Sequence, residues 1–463
     1  MKRLMLAALA AAFAICAPAA GQEVRLTLEQ CREMALQNNS SAVGAALDLK
    51  AAEYQKQEAF AEYFPRVSAM GFGFWALDPL LEIGVKDIFG NNDFSNNLQG
   101  LIESYAPMYG VSPYYSTLSR GYLAGVSVMQ PLFAGGRIVN GNRLASLGVE
   151  AASLQQAVQK RSTSDEIEGY WWQVISLQEK QELLSGSKEF VDTLYRDVNA
   201  AYSAGLVTED ELLQVKLARN ELLTNEVQLN SGLRLAKMNL LNSIGQNYTV
   251  ISANADEQRP YIDSIVLVNE EALPGSPDNY YVDEESIAAS MEETRLLELQ
   301  VEAAELQKKM ALGEALPQVA VGATYGYYDF TGKGDFNGLA FATVQIPISD
   351  WGKTSAEMKR LQTQVDKAAA QRDYLQSQII LGVRQSWVEL NSAWDQYQLA
   401  LDSEAAAKAS FGRVERNYEA GMVTIADLLK SQTSLRQASD ERAEALNSYR
   451  QALRKWQELA NNQ

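Results

Sequence analysis

The sequence lacks histidine entirely and has only two cysteines and eleven prolines among its 463 residues. Without histidine, zinc sites and Ser-His-Asp triads lose their usual residue. There is also no phosphate-binding glycine loop, no nucleophile elbow and no CxxC motif. Aspartates and glutamates follow the charge pattern of helices, and no carboxylate pair stands out from that pattern. The sequence therefore predicts no catalytic residue, no metal site and no cofactor.

The first 21 residues have the layout of a secretory signal peptide: a short basic stretch, an apolar run and small residues before Gln22. Cys16 raises the alternative of a lipid anchor, but Ile15 stands where a lipoprotein site has a small residue. Cleavage here would leave Cys31 as the only cysteine, so no intramolecular disulfide is expected. Cys31 is predicted to be a packed apolar residue rather than a reactive thiol.

No apolar run after Gln22 is long enough to span a bilayer as a helix. The expectation is an exported protein that is not an inner-membrane helical protein. Signal cleavage changes the formal charge from −18 to −20, because the removed segment carries two basic residues and no acid. This charge argues against nucleic acid or an anionic membrane surface as a partner. It is compatible with a cation-preferring, water-filled path, although solubility alone would also account for it.

An internal duplication is the strongest signal in the sequence. Residues 51–56 recur at 303–308, an offset of 252, whereas residues 202–208 recur at 418–424, an offset of 216. The first copy therefore carries a 36-residue insertion, which we place in a polar, turn-rich segment, 76–118, predicted to be an outward-facing loop. The predicted division is a signal peptide at 1–21, a first repeat at 22–245, a linker at 246–284 and a second repeat at 285–463.

Two long stretches without proline permit very long helices. Gly136 to Gly205 is 69 residues, about 100 Å as one helix, which suits a structure that crosses the periplasm. Apolar residues recur every seven positions along these stretches, which indicates coiled-coil packing. Trp171 and Trp387 fall among these rows and are predicted to be packing residues. The rows are Leu177, Leu184, Val191, Val198; Val215, Leu222, Leu229, Ala236; Val383, Leu390, Tyr397; and Ala438, Ala445, Ala452.

Alternating patterns between paired prolines predict four strands of about the length that a tilted membrane strand needs. The export signal and the aromatic residues at the strand ends favour membrane strands over ordinary half-buried ones. Four strands cannot close a barrel and an open edge cannot face lipid, so several chains must combine. The predicted strands are Val67–Trp75, Tyr122–Gln130, Val319–Tyr327 and Leu339–Ile346.

The order helix, strand hairpin, long helix, Tyr-x-Ala-Gly-x-x-Thr turn and return helix, written twice, resembles the TolC family of outer-membrane efflux and secretion channels. The resemblance covers the whole mature chain. It implies a mainly α fold with a small β part, in which long antiparallel coiled-coil helices form a periplasmic tunnel. It also implies a homotrimer with four membrane strands per chain in one 12-stranded outer-membrane barrel. The implied partners are outer-membrane lipid, a periplasmic adaptor protein and an inner-membrane transporter.

The two turns of the repeated motif correspond, by this resemblance, to the periplasmic tips where adaptor hairpins dock. Glycine there can adopt positive φ and end one helix, and Thr208 and Thr424 can cap the next. A tight turn between two helices is the simpler interpretation and does not conflict with docking. The predicted docking residues are Tyr202, Ala204, Gly205, Leu206, Val207, Thr208, Ala420, Gly421, Met422, Val423 and Thr424.

The resemblance also implies a pore gate formed by Asp427, Glu211 and Tyr418. A trimer would turn each acid into a three-fold ring, which favours cations. The alternative, that these acids only interact with the helix dipole, stays open. The chain departs from the best-known family pattern, since Lys430 stands where a second gate acid is often found and Val423 where an arginine can sit. Two alternatives stay open: Lys430 forms an ion pair with Asp427 that replaces the missing latch, or the gate is looser than in the best-known pattern.

The resulting hypothesis is the outer-membrane exit duct of a tripartite efflux system. Within the family, the exit duct of a type I protein secretion system fits the sequence equally well. A coiled-coil envelope protein without a pore is the alternative from another class, and the alternating strands count against it. An enzyme is the remote third option. The cargo cannot be identified from the residues.

Overall fold

We describe a computed structural model that covers most of the chain between residues 23 and 460. The predicted signal peptide and Cys16 lie outside the described residues. The chain forms two compact units. The helical unit contains residues 23–51, 150–299 and 370–460, and the strand unit contains residues 52–149 and 300–369. The described residues are 23–78, 80–112, 114–117, 120–252, 259–269, 274–329 and 334–460.

The first repeat supplies six helices and five strands among the described residues, including one helix of 67 residues. A short 3-10 helix, Ala106–Tyr109, follows the helix Asp93–Tyr105 directly. In chain order the elements are β1 (Val24–Leu26), α1 (Leu28–Asn38), α2 (Ser40–Ala61), β2 (Arg66–Trp75), β3 (Leu81–Ile83), α3 (Val85–Phe89), α4 (Asp93–Tyr105), β4 (Tyr115–Thr117), β5 (Arg120–Ala134), α5 (Arg137–Ser203) and α6 (Glu209–Ser243).

The linker and the second repeat follow the same plan without the insertion. Two short 3-10 helices, Ile262–Ser264 and Pro277–Tyr280, lie in the linker. The remaining elements are β6 (Ile265–Leu267), α7 (Glu284–Ser290), α8 (Glu292–Glu314), β7 (Gln318–Asp329), β8 (Asp335–Gln345), α9 (Lys353–Glu419) and α10 (Ile425–Ala460). The predicted long helices are confirmed, since α5 and α9 have 67 residues each.

The four predicted strands are present and form one antiparallel sheet in the order β2-β5-β7-β8. The central pair, β5 and β7, joins the two repeats, and β2 and β8 are the edges. β5 continues beyond its predicted end, through Pro131 to Ala134. The register shifts between Pro131 and Phe133. Proline is tolerated at such a bulge because the ladder there does not need its missing N–H.

The insertion is folded, which corrects the prediction of an open polar loop. Strands β3 and β4 pair, and α3 and α4 lie between them in the chain. Asn92 caps α4: its side chain accepts from the Ser95 amide at 2.9 Å, and the Ser95 hydroxyl accepts from the Asn92 amide at 3.0 Å. The polar residues that indicated a loop are therefore partly capping residues of short helices.

The heptad rows are confirmed as the packing faces of the helical unit. Val191, Val215 and Leu390 are fully buried, and the other row positions are buried or packed against the buried clusters. Both tryptophan predictions hold, since Trp171 is buried and Trp387 packs on other aromatic rings of its cluster. Cys31 is buried in the cluster of α1, α5 and α6, as predicted for a packed thiol, and burial raises its pKa to about 12.

The short strands β1 and β6 add an unpredicted element to the helical unit. They pair in parallel, with Val24 opposite Ile265 and Leu26 opposite Leu267. Ile265 and Leu267 are buried against the same cluster as Cys31. The polar linker is thereby attached to the start of the first repeat.

In the strand unit, two glycines near the junctions of strands and helices, Gly135 and Gly313, allow the backbone segments that contain them to pack directly against each other. Gly135 has φ +62°, and a Cβ added there would lie 2.0 Å from the Gly313 carbonyl oxygen. A Cβ on Gly313 would lie 2.4 Å from the Gly135 oxygen. The equivalent of Gly135 in the second repeat is Trp351, which keeps a positive φ of 56° and a side chain that is almost fully exposed.

Candidate functional site

The helix tips are the two turns that join α5 to α6 and α9 to α10. Both end in a left-handed glycine, with φ +73° at Gly205 and φ +71° at Gly421. In the first turn the Leu206 amide donates to the Ala201 carbonyl at 2.9 Å, and the matching bond in the second turn is 2.8 Å. This is the Schellman arrangement that closes a helix at its C-terminal end. The repeated sequence motif thus has the same backbone geometry in both copies.

The threonine of each motif caps the following helix, as the sequence predicted. The Thr208 amide donates to the Glu211 carboxylate at 2.8 Å, and the Glu211 amide donates to the Thr208 hydroxyl at 3.3 Å. In the second tip the Thr424 amide and hydroxyl donate to the Asp427 carboxylate at 3.1 and 2.6 Å. Both predicted gate acids are therefore capping-box residues. This gives them a local structural role within one chain.

The apolar side chains at the tips are divided between the core and solvent. Val207 packs against the buried cluster of the tip region, and Val423 is half-buried. Leu206 and Met422, which occupy the same position in the two motifs, are exposed by 78% and 76%. Tyr202, Ala204 and Ala420 are exposed as well, so they are available to a partner.

Tyr418 and Glu211 come from different repeats, and the structure brings them near each other. Tyr418 is half-buried and packs against the tip cluster formed by α5, α6, α9 and α10. Burial raises the pKa of the Tyr418 phenol, and the charges of Glu211 and Asp197 raise it further. The phenol is therefore neutral at physiological pH and can donate a hydrogen bond.

The predicted Asp427–Lys430 ion pair is not formed among the described residues. The carboxylate is instead held by Thr424, and these hydrogen bonds are the main reason why the pKa of Asp427 is lowered, with a smaller contribution from Lys430. Because the hydrogen bonds from Thr424 and the positive charge of Lys430 both favour the ionised carboxylate, Asp427 carries a negative charge at neutral pH.

The two tips differ in charge. The first turn of α6 contains three consecutive acids, Glu209, Asp210 and Glu211, whereas the first turn of α10 contains Asp427 alone. Carboxylates at a helix N-terminus are favoured by the helix dipole. The first tip is therefore the more negative of the two, a difference that matching the two motifs position by position does not reveal.

A buried charge cluster in the helical unit was also missed from the sequence. Arg32 of α1 donates to Glu168 of α5 at 2.5 Å and to Glu458 of α10 at 2.7 Å. Trp172 donates to the other Glu168 oxygen at 3.0 Å. The partners are 136 and 426 residues from Arg32 in sequence, so no local pattern indicates this cluster.

The described residues lack two further kinds of functional feature. No helix among them combines the length and the apolar character that crossing a membrane requires. No group of three or more cysteine, aspartate or glutamate side chains among them is arranged to hold a metal ion.

Residues 292–462 match the protein-family model described as outer membrane efflux protein. A curated relative, the outer membrane efflux protein BepC of Brucella suis biovar 1 (strain 1330), is 28% identical over 167 residues. That alignment spans 35% of this chain and 36% of the relative, about a third of its length.

Solved structures resemble nearly the whole chain. The CmeC outer membrane channel of Campylobacter jejuni matches 94% of this chain and 85% of its own, with a TM-score of 0.71 and 14% identity. The outer membrane protein VceC of Vibrio cholerae matches 93% and 95%, with a TM-score of 0.68 and 16% identity. At such low identity these similarities establish the fold. The second repeat of the chain is thus similar to outer membrane efflux proteins, and the chain has the fold of solved outer membrane channels.

These matches agree with the resemblance drawn from the sequence, and the solved structures confirm the predicted fold class. The family consists of channel proteins rather than enzymes. The matched family model, the curated relative and the CmeC channel are all described as outer membrane proteins, the location that the sequence predicted for this chain.

Proposed function

We propose that the protein is the outer-membrane exit duct of a tripartite efflux system: a homotrimer that conducts cargo passively from the periplasm to the exterior. A periplasmic adaptor connects it to an inner-membrane transporter, and that transporter supplies the energy for export. The observation that carries this proposal is the sheet order β2-β5-β7-β8, because it leaves two strand edges unpaired within the described chain.

Unpaired strand edges are unfavourable in lipid, since each backbone N–H and C=O there lacks a partner. Pairing β2 of one copy with β8 of the next satisfies both edges. Three copies then close a 12-stranded barrel around a lumen. The central β5–β7 pair supports this arrangement, because it already joins the two repeats in the way that β2 and β8 would join two chains.

The long helices support the same assembly through their exposed apolar faces. On α6 the buried row faces the neighbouring helices, and Leu213, Leu217, Val227 and Leu235 lie on the opposite face and are exposed. On α9 the residues Tyr374, Leu381, Val388 and Leu399 likewise lie opposite the buried row. Helices with apolar stripes on two faces pack with two partners. We assign the second face of α6 and of α9 to contacts between copies.

The tips provide the adaptor-docking surface in this proposal. Leu206 and Met422 are the exposed apolar residues of two geometrically matched turns. An adaptor that binds both turns therefore meets a repeated surface, six tips in a trimer. Asp427 and Glu211, with Tyr418 and Lys430, surround the narrow periplasmic entrance, where rings of carboxylates favour cations.

The test combines three measurements on the full-length protein. Mass measurement of the detergent-extracted protein should give a trimer, and a stable monomer would contradict the assembly. Planar-bilayer recordings should show channel conductance, which a coiled-coil protein without a pore would lack. Deletion of the gene should raise intracellular accumulation of small toxic compounds. Loss of a secreted protein with normal accumulation would instead identify a type I secretion duct.

A further inference from the structure

Helix α4 of the insertion buries a polar face and exposes an apolar one, which is the reverse of an ordinary amphipathic helix that packs on its own domain. Its inward face carries Ser95 and Gln99, both almost fully buried. Gln99 accepts from the Val85 amide at 2.7 Å and donates to Glu103 at 2.9 Å. The insertion is thus held together by polar contacts.

The outward face of α4 is apolar. Phe94, Leu98, Leu101 and Tyr105 follow one another at spacings of four, three and four residues, which places them on one side of the helix. Phe94, Leu101 and Tyr105 are exposed by 65%, 58% and 55%. We call these four residues the α4 stripe. Phe89 extends the stripe, since its ring meets that of Phe94 edge-on at 6.2 Å.

An exposed apolar stripe of this kind indicates a surface that is covered in the assembled protein. A lipid surface is disfavoured by charge. The segment 76–118 contains five acids and one cation, Lys86, and α4 itself has no lysine or arginine. Helices that lie on phosphate-bearing membranes are instead rich in basic residues on the polar face.

The position of the insertion favours a second copy of this chain. The last residue of β2, Trp75, pairs with Arg120 of β5, so the insertion begins directly at the end of an edge strand. In the proposed trimer, β2 is the strand that meets the neighbouring copy. The insertion of each copy therefore stands beside the boundary between chains, where a neighbour is within reach.

We infer that the α4 stripe docks on the insertions of neighbouring copies, so that three insertions form a collar at the external end of the duct. This inference rests on the proposed trimer. The collar adds a contact between chains through the insertions, and it narrows the exit by folded elements that the second repeat does not have.

Thiol crosslinking of the full-length trimer tests the collar. Leu101→Cys places a thiol on the stripe, and Asn96→Cys places one on an exposed part of α4 away from it. A flexible bis-maleimide should shift part of Leu101→Cys from the monomer to the dimer band on denaturing gels, because each chain offers one accessible thiol and the reagent joins two. Asn96→Cys and the wild type, which controls for native cysteines, should stay at the monomer band.

The failure of this inference can be distinguished from the failure of the proposed trimer, because the mass of each variant is measured before crosslinking. A trimer whose Leu101→Cys thiol does not crosslink would overturn the collar and leave the duct intact. A bimane label at residue 101 then identifies the actual surroundings. Quenching by brominated lipid would assign the stripe to the membrane, and quenching by aqueous iodide would show it to be free.

Discussion

Asp427 and Thr424 form a closed pair at the second tip: the Thr424 hydroxyl donates to the carboxylate at 2.6 Å and accepts from the Asp427 amide at 3.2 Å. The acid that the family resemblance assigns to the gate is thus also the acid that starts α10. These two roles depend on different properties of the side chain. Capping needs an acceptor oxygen, whereas a gate ring needs negative charge.

Asp427→Asn separates the two roles, because asparagine keeps an acceptor oxygen and removes the charge. We expect weaker cation selectivity and weaker block by trivalent cations from the periplasmic side, with little change in thermal stability. Single-channel recording and thermal unfolding measure the two outcomes. Glu211→Gln is the matched variant at the first tip, where two further acids, Glu209 and Asp210, should preserve more of the selectivity. Unchanged selectivity in both variants would remove the acids from the gate and leave Tyr418 and Lys430 to examine.

Gly421→Val should distort the second tip through backbone strain alone. No atom lies within 4 Å of a Cβ built at this glycine, so space is not the obstacle. Its φ of +71° costs an ordinary L-residue about 1–2 kcal/mol, and more for a β-branched one. We expect a folded trimer with lost efflux and lost adaptor crosslinking. Gly421→Asn is the control, because asparagine tolerates positive φ, and it should retain crosslinking; equal crosslinking by both variants would argue against docking at this turn.

Stability should rise as the pH falls from neutral, through the buried cluster of Arg32. Burial raises the pKa of Glu458 to about 7, and its hydrogen bond with Asp165 adds to the effect, while its usual value is about 4.5. Between these values the folded protein holds a proton that the unfolded chain has released, so acidification favours folding. The melting temperature of the wild type should therefore rise relative to Glu458→Gln between pH 7.5 and about 5. Glu389→Gln, at an exposed pair with Lys455, should track the wild type; an identical slope for Glu458→Gln would contradict the assignment.

Leu217→Glu should weaken the trimer without unfolding the chain. Leu217 is exposed in the single chain and lies on the second apolar face of α6. Loss of one buried leucine costs about 1.5–3 kcal/mol per contact, and three contacts are affected in a trimer. Analytical ultracentrifugation in detergent should show dissociation at lower protein concentration. Lys216→Glu, a charge change at the adjacent exposed position, is the control, and equal effects of the two variants would place the interface elsewhere.

Those parts of the fold that depend on periodicity were predictable from the sequence. The heptad rows identified the buried positions of α5, α6, α9 and α10, and the alternating runs identified the four strands. The pairing register of the strands could not be predicted in the same way. The extension of β5 through Pro131 depends on a bulge against β7, and no residue within β5 alone indicates it.

The missed features all depend on residues far apart in the chain. The cluster of Arg32, Glu168 and Glu458 forms only because three helices pack together. Strand β1 pairs with β6, which lies about 240 residues later in the chain. The sequence predicts a loop for the insertion because its asparagines, serines and glycines are typical of turns. In the structure the same residue types cap helices, and short helices give too little periodicity to outweigh them.

The two open edges, β2 and β8, have a consequence for how the protein is made. A newly exported chain carries both edges across an aqueous compartment, where exposed edges pair readily with the wrong partners. Insertion of a single chain into lipid would leave these backbone groups without hydrogen bonds. In the proposed trimer, association of the three chains would therefore precede or accompany entry into the membrane. Formation of the assembled duct would then depend on the concentration of newly exported chains.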